Sequence, residues 1–215
     1  MTHDPYLIPG TQTLRNLLGI TDKAELDRRE RLIVTHRTIF DPPGGDFDLR
    51  HLQDIHRHLF QDIYEWAGEL RTVDLSKEKS NFMPVSHLAT GIGYVQTRLA
   101  KNNYLKNRPA RSFAEEAAVA IGDINHVHPF REGNGRTQML FLKQLTEHAG
   151  HSFKPEKLDR DVWIQASKAA NETDYNLMAT AIYNQLNPAS RRALAPTVEM
   201  PPLRNTRSKP QAYER

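Results

Sequence analysis

Apolar residues at helical spacing recur along most of residues 24 to 186, and a single stretch, Leu70 to Pro84, breaks the rhythm. Leu52, Ile55, Leu59 and Ile63 follow Asp48 at steps of three and four, which predicts a capped helix with one apolar stripe running to near Gly68. Residues 24 to 39 suit a first long helix, stopped before Asp41-Pro-Pro-Gly-Gly-Asp46, where two prolines and two glycines forbid continuation. Leu88, Ile92, Val95 and Leu99 predict another helix, and Ser112-Phe-Ala-Glu115 has the spacing of a capping box opening an alanine-rich helix to about His126. Further helices are expected from Gly135 or Arg136 to Gly150, over 162 to 170, and over 174 to 186. Leu70 to Pro84 alternates β-branched residues with turn formers and reads as a small hairpin or extended flap. With no internal repeat and no alternation of strands with helices, the fold class expected is all-α, a helical bundle with a short β-hairpin. His56 lies beside the second stripe, where a bonded, buried, structural histidine is expected.

Composition sets the scale. A chain of 215 residues, 38% apolar, can bury one sizeable core, so one main domain is expected. There is no cysteine, which removes disulfides and cysteine chemistry. No apolar run approaches the roughly 20 residues that cross a bilayer, and Met1-Thr-His-Asp-Pro5 has no signal-peptide pattern. The expectation is a soluble intracellular protein that does not enter membranes. The net charge of +3 belongs to the end of the chain, where six basic residues face two acidic ones from Asn187 onward. Five of the 13 prolines fall there too, so the chain divides into a folded unit, 1 to 186, and a Pro-rich basic tail, 187 to 215, expected to be flexible. Such a tail does not by itself mark specific nucleic-acid recognition, and none is expected.

The residues that carry chemistry sit between two predicted helices, in His128-Pro-Phe-Arg-Glu-Gly-Asn-Gly-Arg136. Pro129 presents His128 on a turn, and Phe130 can anchor that turn in the core. Gly133 and Gly135 free the backbone around Asn134, so successive N–H groups and the start of a helix can face one point, an anion site suited to phosphate. Arg136 in the first turn opposes the helix dipole, a cost that a bound polyphosphate would offset. Glu132 can supply an oxygen ligand to Mg2+ held between phosphates, and His128 can take a proton from a hydroxyl. The same residues also fit a bare helix connector. The spacing of a Walker loop is absent, and His126 with His128 is too sparse for a structural zinc site.

Over these positions the chain resembles the Fic family, whose motif runs H-x-F-x-[D/E]-G-N-G-R-x-x-R; His128, Phe130, Glu132, Gly133, Asn134, Gly135 and Arg136 match it. The likeness extends to Asp4-Pro-Tyr-Leu-Ile-Pro-Gly10, Ile55 to Gly68 and Ile124-Asn-His-Val-His-Pro129, covering roughly residues 4 to 186. The resemblance implies an all-helical Fic-type bundle with a β-hairpin flap over the active site, and a protein adenylyltransferase that moves AMP from Mg-ATP to a Tyr, Thr or Ser hydroxyl and releases pyrophosphate. In it His128 would be the base, Glu132 the Mg2+ ligand, the Gly133, Asn134 and Gly135 backbone the cradle of the α-phosphate, and Arg136 the partner of the outer phosphates. The flap near Thr72 to Phe82 would dock the target protein. The family includes bacterial toxins acting on type II topoisomerases and effectors that enter host cells and act on small GTPases, which implies a bacterial cytoplasm with translocation into a host as the other location. The family's inhibitory [S/T]-x-x-x-E-[G/N] helix is found neither in residues 1 to 40 nor in the tail, which points to a small separate antitoxin as partner. One position departs from the motif: Met139 stands where its last arginine would bind the γ-phosphate. This leaves attenuated catalysis, a pure binding module, or transfer or removal of another phosphate-bearing group as alternatives.

Overall fold

The computed structural model describes residues 4–40, 42–77 and 80–187. Its helices are α1 (Lys23–Arg37), α2 (Leu49–Phe60), α3 (Leu88–Lys101), α4 (Ala110–Val127), α5 (Asn134–His148), α6 (Arg160–Asn171) and α7 (Asn176–Gln185). Asp22 caps α1 by accepting from the Glu25 N–H, and Asp48 caps α2 by accepting from the His51 N–H at 2.8 Å. Each such cap is worth about 1 kcal/mol.

Helix α4 is the axis of the molecule, packed on by α3, α5, α6 and α7, while α2 lies against α1, α3 and α5. Its alanines at 114, 117, 118 and 120 are all buried, and the small residues let neighbouring helices come close. At Gly122 a Cβ would meet the Tyr175 ring at 2.6 Å. The apolar stripe of α2 is buried as its spacing predicts, with Leu52, Ile55 and Leu59 at 1% exposure or less. No helix is long and apolar enough to cross a membrane among the described residues.

Three expectations about the main unit need correction. Helix α2 ends at Phe60, not near Gly68, because the chain folds back on itself. Gln53 Nε2 donates to the Gly68 carbonyl at 2.9 Å, and Ile63 still reaches the core from a turn. Helix α4 starts at Ala110 behind Pro109, three residues earlier than a Ser112 cap would open it, which puts Ser112 inside the first turn and leaves the capping box unused. The third correction is the β-hairpin flap. Strand pairing within this segment is confined to Ser76↔Asn81 and Lys77↔Ser80, shorter than the roughly 3 residues at which ordinary strands begin, so no flap spans Thr72 to Phe82. The Phe82 N–H still donates to the Leu75 carbonyl at 3.2 Å, but beyond it the backbone groups a longer ladder would use are bound elsewhere. Carbonyls of Val73 and Met83 accept from the Arg71 side chain, and the Met83 N–H donates to the His126 carbonyl at 3.1 Å. The basic tail lies outside the described residues from 188 onward.

Candidate active site

The site begins where α4 stops. His128 takes the left-handed conformation, φ 49° and ψ 61°, at the C-cap of α4, so the chain turns sharply out of the helix. Non-glycine residues reach this region at a cost of roughly 1–2 kcal/mol, which the surroundings must hold in place. The imidazole Nδ1 faces the Asn125 carbonyl at 3.2 Å. A carbonyl can only accept, so the proton belongs on Nδ1, and neutral His128 keeps its lone pair on Nε2. The Phe82 ring stacks on the imidazole at 3.8 Å between centroids, with 16° between planes.

Phe130 turns back into the core at 1% exposure, as the sequence suggests. Asn134 closes the loop. Its Oδ1 accepts from the Phe130 N–H at 2.9 Å and its Nδ2 donates to the Phe130 carbonyl at 2.7 Å. The buried amide is thereby committed, and what Asn134 can offer a ligand is its backbone N–H in the first turn of α5. Gly133, the N-cap, has φ 78°, and a Cβ there would lie 2.3 Å from the Phe60 ring, so both conformation and space require glycine. Gly135 differs: a Cβ there meets nothing within 4 Å. The fold does not demand glycine at 135, and its bareness leaves the helix N-terminus open to close approach by an anion.

Glu132 Oε1 accepts from the Gly133 N–H at 2.8 Å and from Arg136 Nη2 at 3.3 Å. Both bonds use the same oxygen, and the side chain is 43% exposed, so its other oxygen can face a cation. No group of three or more His, Asp or Glu side chains is placed to hold a metal among the described residues. A lone carboxylate beside an open helix N-terminus fits Mg2+ carried in by phosphates, the usual arrangement when protein ligands are few.

Arg136 is not waiting for a phosphate to balance it. Its Nη2 pairs with Glu30 Oε1 of α1 at 2.7 Å, and the guanidinium lies 4.7 Å over the Phe60 ring. Two carboxylates therefore offset the dipole cost that the sequence reading assigned to polyphosphate. Tyr64 donates to the other oxygen of Glu30. Burial, and then the Glu30 carboxylate, push the Tyr64 hydroxyl far up, keeping it a donor. Met139, one turn on, is half-buried and packs against the core.

Several residues that build this site were missed from the sequence. Glu30 looks like any surface charge on a helix, yet it is 8% exposed. Asp4 holds Arg131 inside the loop through a 2.8 Å ion pair. Arg71, 1% exposed, binds the carbonyl of His128 and those of Val127 and Pro129 on either side of it. His56 is buried and bonded as expected, but it also serves the loop. The Gly68 N–H donates to its Nδ1 at 2.8 Å, which leaves Nε2 to donate to the Glu132 carbonyl at 3.0 Å. It stacks on Phe130 at 4.0 Å.

Comparison with known proteins gives a consistent result. The Fic/DOC family model matches residues 46–146. Protein adenylyltransferase VbhT of Bartonella schoenbuchensis is 36% identical over 188 residues, which is 86% of this chain and 39% of that protein. The Sinorhizobium fredii protein named probable protein adenylyltransferase y4lH is 38% identical over 76% of this chain and 85% of its own length. Among solved structures, the BepC protein of Bartonella tribocorum, a VirB-translocated effector with bound AMPPNP, superposes with a TM-score of 0.78 at 28% identity, covering 85% of this chain and 96% of that one.

Burial pushes the His56 imidazole down to about 3, whereas in the unfolded chain it takes a proton near 6.5. Between those values the unfolded state binds the extra proton, so this contribution is full above pH 6.5 and is lost as pH falls, by up to about 1.4 kcal/mol per pH unit. Unfolding titrations at pH 7.5 and 5.5 are expected to show wild type losing about 1.4 kcal/mol more than His56→Gln over that interval. Equal losses in the two proteins would contradict the buried neutral histidine.

Proposed function

The chain belongs to the Fic/DOC family and is a protein adenylyltransferase of it, and we propose that His128, Glu132 and the Gly133–Arg136 turn carry the transfer. His128 Nε2 takes the proton of a serine, threonine or tyrosine hydroxyl on the target protein. The freed oxygen attacks the α-phosphorus of ATP. The new P–O bond forms as the bond to the bridging oxygen breaks, and pyrophosphate leaves with the electron pair. The backbone N–H groups of Asn134 and Gly135, with the dipole of α5 behind them, stabilise charge growing on the α-phosphate. Mg2+, when bound with the nucleotide, neutralises phosphate charge. Glu132 is the residue that would hold it. Arg136 has donors beyond the Nη2 that Glu30 and Glu132 use, and these can reach the outer phosphates. The observation that carries this reading is the tautomer of His128. Its Nδ1 is tied to the Asn125 carbonyl, which makes Nε2 the basic nitrogen, the one that can take the hydroxyl's proton.

A protein target inside a host cell is supported by the likeness to a translocated effector. The chain spans 39% of VbhT, so partners engaged by the rest of that protein are outside this reading. With no flap over Thr72 to Phe82, a flap no longer accounts for how a target docks.

Incubation with ATP labelled at the α-phosphate, Mg2+ and cell lysate is expected to label protein. His128→Ala should reduce labelling at least about 100-fold. Equal labelling would remove His128 as the base, and release of free AMP without a protein adduct would remove protein as the acceptor.

Met139 sets the second test. It lies three positions after Arg136 on one helix and is half-buried, so an arginine there can lay its stem on the core and send its charge toward the triphosphate. A charge-assisted bond is worth about 1.5–3 kcal/mol, and only the part expressed in the transition state becomes rate. Met139→Arg is expected to raise transfer about 10-fold with little change in melting temperature. Unchanged transfer would end the attenuation argument. A large loss of stability would mean that Met139 is a packing residue.

A further inference from the structure

We propose that Arg71 is a positioning residue for the transfer reaction, because one buried guanidinium fixes the backbone of His128 and the segment that covers its ring. The proposal rests on His128 being the base.

Arg71 is 1% exposed. A guanidinium withdrawn from water carries a penalty of several kcal/mol, which surroundings must compensate. The usual compensation is a buried carboxylate. The carboxylate here is Asp74, 3.7 Å from Nη1, and its side chain is 77% exposed. Backbone carbonyls do the work instead. Nε donates to the His128 carbonyl at 2.8 Å and Nη1 to the Val73 carbonyl at 2.7 Å. Nη2 donates to the Met83 carbonyl and, at 3.3 Å, to that of Val127. The Arg71 N–H completes the set with the Pro129 carbonyl at 2.9 Å.

Carbonyls of three successive residues, Val127, His128 and Pro129, thus accept from this one residue. They lie where α4 ends, where carbonyls lose their helical donors and the dipole favours a cation. His128 sits in the middle of them in its left-handed conformation. The other arm of the fork holds Val73 and Met83, which bracket the segment carrying Phe82. Its ring lies on the imidazole, and the neighbouring Met83 N–H bonds back to the His126 carbonyl. A single planar group therefore sets the distance between the backbone of the base and the aromatic cover on its ring.

The geometry explains why arginine stands here and lysine does not suffice. Guanidinium presents five N–H donors in a fixed plane, whereas an ammonium has three on one atom and cannot span four carbonyls on separate strands of backbone. None of these bonds reaches residues 132 to 136, so a defect at Arg71 is directed at the base and not at the nucleotide cradle.

The experiment compares wild type, Arg71→Lys, Phe82→Leu and His128→Ala in label transfer from ATP labelled at the α-phosphate to protein in a fixed amount of lysate. Initial rates are taken over a range of Mg-ATP concentrations. Arg71→Lys is expected to lose about 10- to 100-fold in kcat, the scale of a misplacement of about 1 Å, with the apparent KM for ATP changed less than about two-fold. The melting temperature should still rise on adding Mg-ATP. Phe82→Leu leaves the Arg71 carbonyl set in place and removes the ring contact. It is expected to lower kcat by a smaller factor in the same direction, and it carries the test if the lysine protein does not fold. Full kcat in a folded Arg71→Lys protein, or in Phe82→Leu when the lysine protein is not obtained, overturns the proposal while His128→Ala is inactive. So does a loss confined to KM. Activity that survives in His128→Ala removes the base, and the proposal falls with it.

Discussion

Asn134 commits both ends of its amide to the N–H and carbonyl of Phe130, and the site's geometry depends on that clasp. It ties the residue that enters the core to the residue that opens α5, across a loop of only a few residues. His128 is thereby held on one side and the free N–H groups of α5 on the other. Without the clasp, Gly133 would have no reason to sit against the Phe60 ring, and the helix N-terminus would not share an opening with the histidine. An asparagine suits the position because it donates and accepts in one plane, which aspartate and leucine of similar size do not.

Around the clasp stands a set of buried polar groups, each satisfied by a named partner. His56 binds the Glu132 carbonyl, and Glu30 binds Arg136 and Tyr64. Buried charge is costly unless paired, and these pairings are what lets the named groups support the loop. They come from distant parts of the chain: Glu30 from α1, His56 from α2, Tyr64 from the turn after it and Arg136 from α5. The helical bundle is what brings them together, and this explains why a site of nine residues needs a whole domain to support it.

The same distances explain what the sequence could and could not convey. Periodicity revealed α2, α3 and the alanine-rich α4, since burial along one face leaves a repeating pattern. The turn at His128 was legible because Pro129 and the glycines restrict the backbone locally, and it lies within residues 46–146 that match the Fic/DOC family. Chain reversal after Phe60 was not legible, since Ile63 continues the apolar spacing without continuing the helix. The hairpin expected over Thr72 to Phe82 failed for a related reason. Strand-like composition was read correctly as non-helical, but the hydrogen-bond partners lay in Arg71 and α4, far from the segment in sequence. Glu30 and Arg71 were invisible for want of any local signature, and the tertiary fold alone shows that these two charges are buried.

In the proposed reaction, one opening places the Nε2 of His128 and the first N–H groups of α5 on the same phosphate. A crystal structure with Mg2+ and a non-hydrolysable ATP analogue tests this directly. The expected result has an α-phosphate oxygen within hydrogen-bond distance, about 2.7–3.2 Å, of the Asn134 or Gly135 N–H, with His128 Nε2 facing the phosphorus across a gap fit for one hydroxyl. A nucleotide bound with its α-phosphate away from that helix start, or with Nδ1 of His128 turned toward it, would contradict these roles for His128 and α5.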